Sequence, residues 1–152
     1  MTELSTNPTD DQRTRVLEAI RRALEPLGEV RAAMLFGSRA TKTERPQSDV
    51  DVAVLLDFER APRECGARLR TLIAALSREL AADRLDVIVL NDAPPALAFQ
   101  VLKYGVVAFE RDPRDLLRFR VRVYGAHADY AHVERFFREV TKARALAGLK
   151  HG

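Results

Sequence analysis

The sequence predicts an α/β (α+β) domain built on a small mixed β-sheet of about four to five strands, flanked by helices and followed by a helical C-terminal tail. Short apolar runs alternate with longer segments of helical periodicity, in the order α-β-β-α-β-α-β-α. The first two strands follow each other without a helical crossover, which favours a mixed sheet. Since no repeat or low-complexity linker divides the 152 residues, we expect one domain over 1–152.

Each element is predicted from its periodicity and its flanking residues. The predicted elements are helices over 9–27, 62–82 and 96–104, strands over 30–36, 49–56, 84–90 and 106–109, and a helical tail over 113–152. Residues 1–8 are expected to be disordered. The first helix can be capped by Thr9 or Asp10 and ends at Gly28, a residue suited to a C-cap. The second strand is almost wholly apolar after its first acids, so we expect it to be central and covered on both faces.

The tail is expected to be an amphipathic helix that Gly125 could interrupt. Its candidate buried positions are Leu116, Leu117, Val121, Tyr124, Val133, Phe136, Phe137 and Val140. His127 and His132 lie five residues apart, a poor spacing for a shared ligand face, and both are expected to be surface residues.

Composition excludes several classes of protein. No apolar run approaches the length of a membrane span, and the polar N-terminus does not resemble a signal peptide. The single Cys65 cannot form an internal disulfide, so a cytoplasmic location is expected. The net charge is +3, and the segment 111–152 contains ten Lys and Arg but only five Asp and Glu. This excess of positive charge is typical either of a surface that binds an acidic partner or of a solvated helix. Because no aromatic residues are interleaved with the basic ones, direct nucleic-acid binding is not expected.

The most informative stretch runs from Gly37-Ser38-Arg39 to Asp49-Val50-Asp51. A glycine-led turn after a strand can offer backbone N–H groups and a hydroxyl to phosphate. In a strand, residues i and i+2 point to the same face about 6.5 Å apart, so Asp49 and Asp51 converge. Two carboxylates repel each other at a partly buried sheet end, and a bound Mg²⁺ would neutralise this repulsion. The stretch therefore predicts a metal–nucleotide site.

A third acid, Asp86, lies inside the apolar strand RLDVIVL. If this strand lies beside the second one, Asp86 joins the acid pair, and three carboxylates can hold two metal ions for phosphoryl transfer. The alternative is a salt bridge to Arg84, which is two residues away and on the same face. Because the glycine turn and the acid pair are also present, the role of Asp86 in the metal site is favoured over the salt bridge to Arg84.

These motifs resemble a known superfamily. Gly-Ser, ten residues, Asp-x-Asp and a later strand Asp resemble the signature of the DNA polymerase β-like nucleotidyltransferases. The segments GSRA, RPQSDVDVAVLL, LDVIVL and YGVVAFERD are similar to the minimal nucleotidyltransferases (MNT), the antitoxins of HEPN/MNT toxin–antitoxin systems. The resemblance covers roughly residues 30–112, the expected catalytic core, and it implies the nucleotidyltransferase fold.

The resemblance also implies a role for each site residue. Gly37, Ser38 and Arg39 would form the nucleotide-binding group, which holds and neutralises the terminal phosphates. Asp49, Asp51 and Asp86 would be catalytic and metal-binding, with two Mg²⁺ ions as cofactors and ATP as substrate. Asp86 would also help to deprotonate the acceptor hydroxyl.

The function implied is that of a cytoplasmic, Mg²⁺-dependent protein adenylyltransferase. It would act as an antitoxin by transferring AMP from ATP to a Tyr hydroxyl of a cognate HEPN toxin. Two alternatives stay open, a catalytically silent antitoxin that only binds its toxin and a small-molecule nucleotidyltransferase of the aminoglycoside type. The presence of all three acids argues against the first, and the lack of a second substrate-binding domain argues against the second.

Overall fold

A computed structural model describes residues 8–37, 49–61, 63–82 and 84–149. For residues 8, 9, 130, 133, 134, 136, 137, 140, 141 and 143–149 it describes the backbone alone. In chain order the elements are α1 (Pro8–Leu24), β1 (Val30–Phe36), β2 (Val50–Leu56), α2 (Cys65–Glu79), β3 (Leu85–Val89), a 3-10 turn (Leu90–Asp92), α3 (Pro95–Tyr104), β4 (Val106–Glu110) and α4 (Pro113–Leu149).

The four strands form one mixed sheet in the order β3-β2-β1-β4. β1 pairs antiparallel with both β2 and β4, whereas β2 and β3 are parallel and are connected by α2. The predicted mixed sheet flanked by helices is therefore confirmed. β2 has a strand on each side, and every residue from Val52 to Leu56 is buried, as expected for a central strand.

Helices cover both faces of the sheet, because alternate strand residues point to opposite faces. One core contains Leu35, Val52 and Val54 with side chains of α1 and α2. The other contains Met34 and Ala53 with side chains of α3 and α4. Odd-numbered residues of β2 face the second core, so the acids at the start of β2 lie on the α3–α4 side of the sheet.

The end of α1 differs from the prediction. The helix ends at Leu24, so Gly28 lies four residues beyond it and is not its C-cap. The carbonyl groups that follow the helix find another donor. The Arg111 guanidinium, at the end of β4, donates to the carbonyl oxygens of Glu25 at 2.8 Å and Leu27 at 3.2 Å. The side chain of Arg111, more than eighty residues away in sequence, therefore satisfies carbonyl groups after α1 in place of the predicted glycine cap.

Helix α4 corrects two further expectations. It continues through Gly125, where an added Cβ atom would meet no described atom within 4 Å outside the local helix backbone. Leu116 is buried in the core, as predicted. Phe119 and Val123 are buried as well, although they were not predicted to be. Three positions predicted to be buried are exposed instead, namely Leu117, Val121 and Tyr124. The predictions for Val133, Phe136, Phe137 and Val140 lie outside the described side chains.

α2 begins at Cys65 and ends at Glu79, so it is shorter than the predicted 62–82. Pro62 itself lies outside the described residues. Among the helices of the described part of the chain, none is both long enough and apolar enough to cross a membrane.

Candidate functional site

The turn that ends β1 requires a glycine. Gly37 has a φ of 73°, in the left-handed region that side chains disfavour. A Cβ atom on Gly37 would lie 3.0 Å from Cγ of Asp51 and closer still to its carboxylate oxygen. Only a residue without a side chain lets the backbone pass this close to the carboxylate. The other two predicted nucleotide-binding residues, Ser38 and Arg39, lie outside the described residues, as does the rest of the connector.

Asp49 and Asp51 lie at the start of β2. Asp49 directly precedes the strand, and Asp51 is its second residue, opposite Phe36 of β1. The two acids are separated by buried Val50, so they share the face opposite to it. Both are half-buried. The sequence prediction that these carboxylates lie together at one end of the sheet agrees with this placement.

Asp86 lies beside Asp51 on the neighbouring strand. In the parallel β2–β3 pair, Asp51 and Asp86 are directly in register. Residues in register point to the same face, so Asp86 extends the acid pair sideways onto β3. Asp86 is exposed, because β3 is an edge strand of the sheet.

The Arg84 guanidinium does not form the predicted alternative contact with Asp86. Its Nε atom lies 3.7 Å from Oδ1 of Asp49 instead. Among the residues that the structure describes, no ion pair to Asp86 is present. The Arg84–Asp49 pair was not predicted, because spacing along one strand indicates only neighbours on that strand. The signal was available in principle, since residues 49 and 84 occupy equivalent places before two parallel strands.

The acids repel one another. The pKa of Asp51 is raised above its ordinary value, first by burial of the carboxylate and then by the negative charges of Asp86 and Asp49. Charged oxygen atoms that are held together against repulsion form the kind of donor set that binds a hard divalent cation. Within the described ranges, no three His, Cys, Asp or Glu side chains are already arranged as a complete metal-ligand group.

The two histidines of the tail differ from each other. His132 is exposed, as predicted. His127 is only half-exposed, because its ring stacks on Phe99 of α3 with the centroids 3.9 Å apart. The expectation of a simple surface residue is therefore wrong for His127, whose ring helps to pack α4 against α3.

Comparisons with known proteins identify the family of this chain. The family profile described as "Polymerase beta, Nucleotidyltransferase" matches residues 18–114. The protein adenylyltransferase MntA of Aphanizomenon flos-aquae (strain 2012/KM1/D3) is 27% identical over an alignment of 119 residues, which covers 75% of this chain and 79% of that protein.

Two solved structures share the fold. A crystal structure of a toxin–antitoxin with AMP-PNP superimposes with a TM-score of 0.63 at 23% identity, covering 85% of this chain and 98% of that one. A re-refined structure of a tri-AMPylated Shewanella oneidensis HEPN toxin in complex with MNT antitoxin gives a TM-score of 0.63 at 22% identity, again over 85% and 98%.

Proposed function

Because this chain belongs to the polymerase beta nucleotidyltransferase family, we propose that it is a Mg²⁺-dependent protein adenylyltransferase. It transfers AMP from ATP to a hydroxyl group, that of a Tyr, on a partner HEPN toxin and thereby acts as an antitoxin. The observation that carries this proposal is the register of Asp51 with Asp86, next to Asp49 and the Gly37 turn. It gives this chain the three acids that the chemistry needs, at one end of one sheet.

The relatives support the choice of nucleotide and acceptor. The Aphanizomenon relative is named as a protein adenylyltransferase. One structural neighbour contains AMP-PNP, an ATP analogue, and another contains a HEPN toxin that carries AMP groups. We extend ATP as the substrate and a HEPN toxin as the partner from those proteins to this chain.

The acids fit Mg²⁺ by their chemistry. Mg²⁺ prefers oxygen ligands, and in nucleotide enzymes it is usually held by one or two carboxylates together with substrate phosphates and water. Asp49 and Asp51 would supply the carboxylates for the first ion, and Asp86 would share in a second. When bound, the ions neutralise the phosphates and stabilise the attacking and leaving oxygens.

The chain's own residues then orient the reactants. Gly37 would bring its backbone close to the terminal phosphates, Ser38 would donate its hydroxyl, and Arg39 would add positive charge. The acceptor oxygen attacks the α-phosphorus and forms a new O–P bond, while the bond to the bridging oxygen breaks and pyrophosphate leaves. The hydroxyl proton passes to Asp86, whose exposure at the sheet edge leaves room for a protein acceptor.

We further propose that residues 30–112 form the catalytic core, followed by the helical tail over 113–152, and that the protein works in the cytoplasm. The free thiol of exposed Cys65 is consistent with a reducing compartment.

The test uses labelled ATP, Mg²⁺ and the purified product of the neighbouring gene. We expect the wild-type protein to transfer label to that product. The Asp49→Ala/Asp51→Ala variant should transfer none, and Asp86→Asn should lower kcat by about 10²- to 10⁴-fold, the usual contribution of a general base. A matched control is Asp129→Asn, which removes an exposed acid of α4 outside the site and should leave transfer unchanged.

Each alternative predicts a different outcome. A protein that silences the toxin in a stable complex but transfers no label would be an antitoxin that acts by binding alone. Transfer of the nucleotide to aminoglycosides but not to the partner protein would identify a small-molecule enzyme. Either result would overturn the proposed reaction.

A further inference from the structure

The starts of β2 and β3 place four charged side chains in two rows. In the first row Asp49 stands opposite Arg84, because Val50 and Leu85 are the next pair in register. In the second row Asp51 stands opposite Asp86. A backbone hydrogen bond of 3.0 Å from the amide of Val50 to the carbonyl oxygen of Arg84 fixes the first row. The site therefore contains a cation of its own beside one of its three acids.

The contact between Arg84 and Asp49 is of a kind that breaks easily. The closest nitrogen and oxygen atoms are 3.7 Å apart, beyond ordinary hydrogen-bond length. The Arg84 side chain is 76% exposed, and that of Asp49 is 36% exposed. Exposed ion pairs of this type contribute little to stability, since water screens the charges and the long side chain loses entropy. The backbone at Arg84 is fixed, but its guanidinium can leave Asp49 at low cost.

We propose that Arg84 is the counter-ion of Asp49 in the metal-free protein and gives up this carboxylate when a divalent ion binds. This inference rests on the metal site of the proposed function. A guanidinium and a metal ion compete for the same oxygen atoms, because a carboxylate shared with a cation is a weaker metal ligand. Arg84 is thus a positioning residue, which keeps the acids together before the metal arrives and sets a threshold for metal binding.

The threshold is measurable as a change in metal affinity. We expect Arg84→Gln to bind Mn²⁺, used as a spectroscopic substitute for Mg²⁺, about two- to fivefold more tightly than the wild type, as the loss of an exposed ion pair allows. Arg84→Lys keeps the charge and should remain close to the wild type. The affinity is read from free Mn²⁺ by electron paramagnetic resonance, without nucleotide or acceptor.

Arg114→Gln is a matched control at the other end of the sheet. Arg114 is 78% exposed and pairs with Asp112, which is 31% exposed, so the variant removes an equivalent arginine and the same net charge. We expect its Mn²⁺ affinity to equal that of the wild type. An equal gain in both arginine variants would mean that only net charge matters, and it would overturn the proposal.

Thermal unfolding provides an independent measurement. Arg84→Gln should lower the Tm of the metal-free protein, because Asp49 then adds uncompensated repulsion. This difference should shrink at saturating Mn²⁺, because a ligand that binds the variant more tightly stabilises it more. A purely structural arginine would lower the Tm equally in both conditions, and that result would also contradict the proposal.

Asp51→Asn separates this inference from the proposed function. If Asp51→Asn loses Mn²⁺ binding while Arg84→Gln binds like the wild type, the counter-ion role is wrong and the metal site stands. If Asp51→Asn binds Mn²⁺ as well as the wild type does, the metal site itself is wrong, and the counter-ion role falls with it.

Discussion

Two glycines of this chain show how the surroundings of a residue decide whether a substitution raises or lowers the free energy of unfolding. Gly37 has a positive φ and lies against the Asp51 carboxylate, whereas a Cβ atom on Gly125, within α4, would meet no described atom within 4 Å outside the local helix backbone. We expect Gly37→Ala to lower the free energy of unfolding by at least about 1–2 kcal/mol, the cost of the left-handed backbone alone. Gly125→Ala should raise it by about 0.5–1 kcal/mol, because alanine is the better helix residue.

Urea denaturation of both variants measures this difference. Gly37→Ala should also impair nucleotide binding, since the added carbon displaces Asp51. Equal stability of the two variants would mean that the turn at Gly37 relaxes to accept a side chain.

The acids of the site should reduce stability in the absence of metal. The pKa of Asp51 is raised in the folded protein by burial and by Asp86 and Asp49. The folded state therefore holds the proton more tightly than the unfolded chain, so this contribution favours folding at acidic pH and is lost as pH rises through the raised pKa.

We accordingly expect Asp51→Asn to stabilise the metal-free protein at neutral pH by about 0.5–2 kcal/mol, the range typical of improved charge arrangements. The gain should disappear below the ordinary carboxyl pKa, where wild-type Asp51 is protonated as well. Unfolding curves at several pH values, recorded with a chelator, test this. A loss of stability at neutral pH would show that Asp51 has a favourable partner in the metal-free protein.

At the scale of an element, the start of α4 depends on Asp112. Its carboxylate accepts hydrogen bonds from the Arg114 side chain and, at 2.9 Å, from the Arg114 backbone N–H. These bonds lower the pKa of Asp112 to about 2. Because the folded-state pKa lies below that of the unfolded chain, the contribution to stability is present above the ordinary carboxyl pKa and is lost as pH falls toward 2.

Asp112→Asn should therefore be less stable than the wild type at neutral pH, and the difference should close as pH approaches 2. Denaturation midpoints between pH 2 and 7 measure it. Asp129→Asn changes the charge of α4 equally without touching its first turn and should not reproduce the pattern. If the stability difference between Asp112→Asn and the wild type did not vary with pH, the charge of Asp112 would not be what stabilises the start of α4.

The elements themselves were largely predictable, but the contact face of α4 was not. Strand limits followed from short apolar runs, and the prediction for β1 over 30–36 is confirmed. The first half of α4 carries two apolar stripes, Leu116–Phe119–Val123 and Leu117–Val121–Tyr124, both with helical spacing. Only the first stripe packs into the core with Met34, Ala53 and Leu55, whereas the second is exposed. Periodicity alone cannot choose between them, because the choice depends on where the sheet lies.

For the whole molecule, the candidate site was predictable to the extent that it depends on strand geometry. The alternation of side chains places Asp49 and Asp51 together, and a βαβ connection between neighbouring parallel strands then places Asp86 beside them. The roles of these acids and of Gly37, Ser38 and Arg39 remain proposals. The partners of Arg111 were not predictable, because its contacts join segments that only the folded sheet brings together. The Arg84–Asp49 pair could have been predicted once the second and third strands were taken as parallel neighbours.

Arg111 gives a test of such long-range contacts. Its guanidinium donates to the carbonyl oxygens of Glu25, Leu27 and Val30 at 2.8, 3.2 and 3.0 Å, and it lies over the ring of Phe109. It thus connects the end of α1, the start of β1 and the end of β4. Arg111→Met keeps an apolar side chain over the ring but removes all three donors.

We expect Arg111→Met to lower the free energy of unfolding by about 1.5–3 kcal/mol, the range for hydrogen bonds that involve a charged group. Arg111→Lys should recover only part of this loss, because an ammonium group cannot reproduce the planar set of donors. Arg78→Met, at an exposed position of α2, should change stability by less than about 0.5 kcal/mol. If Arg111→Met were no less stable than Arg78→Met, the carbonyl groups beyond α1 would be satisfied by water, and Arg111 would not connect the end of α1 with the end of β4.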